Sequence, residues 1–420
     1  MNLLLELLTL SCVLTTVHCQ KSSTLQFVEL WFRHGERTPT HFMYFPNESP
    51  TVKYSQAEAG ELTNRGVLQA YQRGEFIRQR YGDFLGQVYR PSEIHVWTGN
   101  DNRTVASAEA VLAAAFKPDA EHKWSNKLDW QPVAVHTDPT IDWVSTGING
   151  VCPEYERTYF ESPAYLEILA PFDPELISFL ENSTGVSIES PIDFNHVIDS
   201  LMTKMILNDK ALPYPKWAEP LRQNVSAIRT TFHQRMVDSQ NDTAGRYHLE
   251  MLLSFIEDHL NRPVDKKNKA VFVSGHDTNF LTIGRQLGDS TMANEMVSYA
   301  ALLAIELHLN NGTYYVELWH APSLEAELTR LNIPLCMNPC KLDTLQNALK
   351  DRRLTRTAWE LECRGFGPQG MDDSIITASM ILLLAVFIIS TVVLACTTFS
   401  YRKQLKELQD PERRRLLEES

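Results

Sequence analysis

FRHGERTP (residues 32–39) follows directly on LQFVELW (residues 25–31), an apolar run rich in aromatic and branched residues. That run lacks a clean two-residue alternation, as expected of a strand covered on both faces in the interior of an α/β sheet. Arg33, His34, Glu36 and Arg37 then crowd four ionisable side chains at its carboxyl end, and Pro39 with the polar residues after it marks a loop. EIHVWTGN (93–100) repeats the pattern, running into DNRT and the helical ASAEAVLAAAF. KAVFVSGHDTNFLTIGRQLG (269–288) is the third instance: strand, Gly-His-Asp, helix. Polar clusters at the carboxyl ends of strands are where open α/β sheets hold their ligands.

Helical spacing over GELTNRGVLQAYQRGEFIRQRYG (60–82), with Thr63 as cap, and a hairpin in ALLAIELHLNNGTYYVELWH (301–320) turning at Asn310-Asn311-Gly312 complete the α/β reading. The expected fold is α/β, with a central, mostly parallel sheet flanked by helices. Its core occupies about 20–139 and 263–365. Residues 140–262, with helical stretches such as FNHVIDSLMTKMIL and little strand signal, form a smaller helical cap.

The ends of the chain read differently. Residues 1–19 are mostly apolar, too short to span a bilayer, and are expected to be a removed signal peptide, with Glu6 where a positive charge is usual. Ile375 to Phe399 carries no charge and is long enough to cross a membrane. Asp372 and Asp373 precede it and Arg402, Lys403 and Lys406 follow, so the positive-inside rule makes 400–420 a cytoplasmic tail and 20–374 luminal or extracellular. In the tail, Glu412, Leu416 and Leu417 fit an acidic dileucine signal that sorting adaptors would read, directing the protein to endosomes and lysosomes; the plainer reading is a short amphipathic segment.

Four cysteines, Cys152, Cys336, Cys340 and Cys363, remain in the exported part, which implies two disulfides with three pairings open. No metal site is expected, since neither a His pair nor a second close Cys pair accompanies CMNPC. Sequons at Asn47, Asn182, Asn224, Asn241 and Asn311 fit a glycosylated surface. A net charge of −13 makes nucleic acid an unsuitable partner and sets the arginine cluster apart from its background.

Arginine offers a planar fork of donors that suits phosphate oxygens. Arg33 and Arg37, joined by Arg103 after the second strand, can converge on a tetrahedral dianion. His34 lies between two of them, where repulsion favours the neutral, nucleophilic imidazole. His276 and Asp277 arrive from the third strand with a helix N-terminus beside them. Glu36 is read as an ion-pair partner of an arginine. Asp277 also suits a helix cap.

RHGERTP (33–39) and SGHDTNF (274–280) resemble, in this order, the two signatures of the histidine acid phosphatases. The likeness covers roughly residues 25–365 and points to the lysosomal and prostatic-type animal enzymes. It implies a phosphohistidine mechanism on small phosphate monoesters, without cofactor: His34 attacks phosphorus, Arg33, Arg37, Arg103 and His276 hold the phosphoryl oxygens, and Asp277 protonates the leaving alcohol. An acid optimum follows from that donor. The resemblance also implies the disulfides Cys152–Cys363 and Cys336–Cys340, one bridge fewer than in the prostatic-type enzymes, and leaves a homodimer open. Asn102 stands where those enzymes are acidic and creates a further sequon, expected to be unmodified because a glycan there would block the pocket. A catalytically silent receptor on the same fold is the alternative; it predicts loss of His34, Arg37, His276 or Asp277, and all four are present.

Overall fold

The computed structural model describes residues 24–46, 56–86, 88–143, 162–210, 212–239, 242–363 and 373–409, with a few positions between 151 and 160. The expected signal peptide, Asn47, Asn241, Glu412, Leu416 and Leu417 lie outside the described residues. Asn182, Asn224 and Asn311 are exposed.

From the amino end, β1 (Leu25–Arg33) is followed by α1 (Asn64–Leu85), β2 (Ile94–Thr98), α2 (Asn102–Ala115) and β3 (His136–Thr137). The longer helices that come next are α3 (Pro174–Thr184), α4 (Pro191–Leu207), α5 (Val225–Ser239) and α6 (Thr243–Asn261). Then come β4 (Ala270–Gly275), α7 (Asp277–Leu287), β5 (Leu302–Asn310), β6 (Thr313–Ala321), β7 (Thr329–Arg330) and α8 (Asp373–Gln409). Thr63 caps α1 by accepting from Gly66 N at 3.0 Å.

The seven strands of the described residues form one sheet in the order β3-β2-β4-β1-β5-β6-β7. β3, β2, β4 and β1 run parallel, whereas β5, β6 and β7 are each antiparallel to their neighbour. The sheet is therefore mixed, not mostly parallel. β5 pairs antiparallel along β1 and then returns through Asn311 and Gly312, both at positive φ, so a two-residue turn instead of a crossover helix adds β6.

Alternation along β1 divides the core into two. Val28, Leu30 and Phe32 pack with β2, β4 and the inner faces of α1 and α2. Phe27 and Trp31 face the other way, against His259 and His248 of α6. The chain separates into two compact units, one comprising 1–151 with 156–356 and the other 152–155 with 357–420, so the sheet and helices α3–α6 belong to the same unit. The second contains the disulfide Cys152–Cys363 and α8; Cys336–Cys340 closes a short loop in the first. Within α8, Ser379–Lys406 is long and apolar enough to cross a membrane.

Glu29 lies fully buried between Phe27 and Trp31. Trp31 Nε1 donates to its Oε1, while Oε2 has no partner among the described residues. Burial holds its pKa well above the usual carboxylate value, only partly offset by the Trp31 hydrogen bond. A raised folded value means that the native chain keeps a proton the unfolded chain loses near pH 4.3, roughly the ordinary glutamate value. The stability this contributes is complete below that pH and is lost as pH rises through the folded value. Glu29→Gln should therefore melt higher than the wild type at pH 7.5 and close to it at pH 4; an equal shift at both pH values would reject the assignment.

Candidate active site

Register brings the three clusters together. β4 lies between β1 and β2, with Arg33 opposite Gly275 and Thr98 opposite Ser274, so all three strands end at one level. His34 N and Gly99 N donate to Gly275 O and Ser274 O at 3.0 and 3.1 Å. The loop after β1 is clamped onto α1. A Cβ at Gly35 would meet Gly66 O at 2.1 Å, and one at Gly66 would meet Glu36 O at 2.0 Å, so two glycines allow the backbones to touch. Gly35 N also donates to Ser107 Oγ of α2 at 3.0 Å.

Within this frame His34 is 2% exposed and its Nδ1 lies 2.7 Å from Gly35 O. A carbonyl oxygen only accepts, so Nδ1 carries the proton and Nε2 keeps the lone pair. Burial holds the imidazole pKa well below its ordinary value, and Arg103, Arg33, His276 and Arg37 depress it further. The ring therefore stays neutral in mild acid.

Each cation of the cluster meets a carboxylate. Arg33 Nη2 is 2.8 Å from Asp277 Oδ2, its Nη1 donates to Val297 O at 2.6 Å, and its guanidinium stacks 4.2 Å from the Tyr299 ring centre. Arg37 makes a two-pronged pair with Asp199 of α4 at 2.7 and 3.2 Å. Arg103 Nη2 donates to Asp101 Oδ2 at 2.5 Å, and His276 Nε2 lies 2.6 Å from Asp142 Oδ1. The protein thus supplies carboxylates of its own to the cluster, beyond the Glu36 pairing expected from the sequence. Even so, Nε of Arg33, Arg37 and Arg103 is buried without a partner among the described residues. Three buried donors, on the three arginines that depress the His34 pKa, are thus left unsatisfied.

Asp277 is the first residue of α7, with His276 just before it. Burial would raise the Asp277 pKa, but Arg229 and Arg33 outweigh it and hold the carboxyl well below the usual range. It is ionised in this state of the site. Asp199 is likewise held ionised against its burial by Arg37. Glu36 accepts from Thr63 Oγ1 at 2.8 Å and pairs with Arg65, so it anchors the start of α1. Asn102 is exposed and donates to Glu61 Oε1 at 2.8 Å.

Carboxylates of Asp101 and Asp142 with the His276 ring present ligand atoms within 4.8 Å of one another, a spacing compatible with a cation, but the Arg103 guanidinium already neutralises Asp101. A second such group, Glu306, His308 and Glu317, is shared with Arg80, Tyr81 and Arg330. A cavity of about 220 Å3 opens beside Arg33 and Arg37, its wall completed by Arg65, Met202, Arg229 and Tyr299.

Arg229, Asp199 and Asp142 are absent from the sequence reading. Arg229 had a signal: Val225, Arg229, Phe232, His233 and Val237 are the buried residues of α5, a helical stripe interrupted by a permanent charge. Asp199 had none, because every residue from Val197 to Leu201 is buried. Asp142 reaches the site through the turn after β3, a tertiary placement.

Residues 24–321 match the family described as the histidine phosphatase superfamily (branch 2). The chain is 27% identical to the prostatic acid phosphatase of Bos taurus over 84% of its length and 92% of that protein's. It is 29% identical to the lysosomal acid phosphatase of Bos taurus, over 89% and 88%. Among solved structures, the phytase from Citrobacter braakii is similar with a TM-score of 0.53 and 17% identity, covering 81% of this chain and 98% of that one. The apo phytase of Hafnia alvei is similar with a TM-score of 0.52 and 18% identity, covering 78% and 97%. At such identities the phytases bear on the fold alone.

Proposed function

Because the chain belongs to the histidine phosphatase superfamily, branch 2, and is an acid phosphatase of that mechanistic type, we propose that its phosphomonoester hydrolysis runs through the cluster around His34. The observation that carries the assignment of roles is the set of unpartnered Nε–H donors on Arg33, Arg37 and Arg103 around a histidine whose Nε2 lone pair is free of its backbone hydrogen bond. The substrate's phosphoryl oxygens take those donors and His276. His34 Nε2 attacks phosphorus, the ester P–O bond breaks, and its electron pair leaves on the alcohol oxygen, which takes the proton of Asp277. The imidazolium charge of the phosphohistidine is shared through Nδ1–H with Gly35 O. Water then attacks phosphorus and gives its proton to the Asp277 carboxylate; the P–N bond breaks, and inorganic phosphate and neutral His34 are restored.

Asp277 gains the proton that it donates when the phosphoryl group engages Arg33 and withdraws one of its two cations. Fixed cations facing the equatorial oxygens provide the main stabilisation of the transition state. The apolar stretch of α8 and the likeness to lysosomal acid phosphatases support a membrane-anchored enzyme with its catalytic part luminal or extracellular. The detergent-solubilised full-length chain should hydrolyse an alkyl phosphate, whose leaving group needs the Asp277 proton, faster at pH 5 than at pH 7.5, and sealed endosomal vesicles should hide that activity until detergent is added. Phosphate binding without hydrolysis at either pH would favour the receptor reading instead.

A further inference from the structure

We propose that Arg229, on α5, is a positioning residue for the proton donor: it holds the Asp277 carboxylate in place and sets the pH range over which that group can give up a proton. This rests on Asp277 being the donor. Arg229 Nη2 lies 2.9 Å from Asp277 Oδ2, the oxygen that Arg33 Nη2 approaches at 2.8 Å from the opposite element. Two guanidiniums on one carboxylate oxygen is more charge than a donor of protons needs. The two differ in their other commitments: Arg33 belongs to the phosphoryl seat, whereas Arg229 reaches the site from the helical part of the chain. Once a phosphoryl group engages Arg33, Arg229 is the cation that remains with Asp277.

The other charged groups around Asp277 do not take over this task. On α5, His233 is one turn beyond Arg229, bonds its backbone oxygen through Nδ1 at 2.9 Å, and is pushed down to about 4, first by burial and then by Arg229. It is neutral over most of the working range. From the β1 loop come Arg33 and the neutral His34; His276 precedes Asp277 and is turned towards Asp142; Arg37 is engaged by Asp199 of α4; Tyr299 stacks on Arg33. Arg229 is therefore the one permanent charge on Asp277 that catalysis leaves in place. Its attraction favours the carboxylate, so it brings the upper pH limit of proton donation down.

The test is kcat against pH for wild type, Arg229→Met and Arg229→Lys, with an alkyl phosphate, whose leaving group needs the proton, and p-nitrophenyl phosphate, whose leaving group does not. For Arg229→Met on the alkyl phosphate, the descending limb should move about one pH unit or more upward, since a neighbouring arginine lowers an aspartate by that order. Arg229→Lys should restore the wild-type limb. Should Arg229→Met fail to fold, Arg229→Gln carries the same expectation. A uniform loss on both substrates with the limb unmoved overturns the proposal and leaves Arg229 as scaffolding. Asp277→Asn separates this from the underlying reading: if that variant retains wild-type kcat on the alkyl phosphate, the donor assignment itself fails.

Discussion

His34→Ala should lower kcat for p-nitrophenyl phosphate by about four orders of magnitude or more, the loss typical of removing a covalent nucleophile. The reasoning is geometric. Nδ1 is committed to Gly35 O, the ring is buried, and the surrounding arginines keep it unprotonated, so this imidazole is prepared to use Nε2 and little else. Loss of the ring removes one hydrogen bond to the Gly35 carbonyl and leaves the Arg33, Arg37 and Arg103 pairs standing, so phosphate should still bind. Rapid quench into alkali with a 32P-labelled substrate should trap label on the wild type, stable to base and released on later acid treatment as a phosphoramidate bond is, and none on the variant. A variant that turns over normally, or still becomes labelled, would place the nucleophile elsewhere.

Arg37→Met should cost about three to five orders of magnitude in kcat/KM, the range over which a single arginine acts on a transferring phosphoryl group. A second, separable effect follows from its partner. Asp199 is 4% exposed and would keep a buried charge without its bidentate counterpart, a loss of about 3–5 kcal/mol in stability. The depressed folded pKa of Asp199 gives the sign with pH: the contribution of the pair is present above the ordinary aspartate value and fades only as pH falls through the folded one, so it persists at pH 5. Replacing both residues, Arg37→Met with Asp199→Leu, should recover most of the melting temperature and none of the activity. Recovery of activity in the double variant would reassign Arg37 from the phosphoryl seat to the scaffold.

The loops of the candidate site were legible in the sequence because each follows a strand whose composition announces burial, and parallel neighbours in register end at one level. Arg33, His34, Arg103, His276 and Asp277 could be placed together on that ground alone. The hairpin was legible from Asn311-Gly312, which the structure holds at positive φ. Its consequence for the sheet was not, because pairing of β5 along β1 joins residues far apart in the chain and leaves no local mark. The same limit hid Asp142 and Asp199, carboxylates delivered by distant segments to His276 and Arg37, whose need for partners the sequence could only imply. Arg229 was within reach, as a charge on an otherwise buried helical stripe.

The Cys152–Cys363 disulfide spans 211 positions of sequence and lies just ahead of α8. The first third of the polypeptide is therefore joined to that helix by two covalent routes, one through the main chain and one through sulfur. A protease that nicks the chain anywhere between the two cysteines leaves both fragments attached to α8. Shedding of an intact catalytic part requires a cut after Cys363 and before the apolar stretch, and on a gel without reductant every nick between the two cysteines would be invisible.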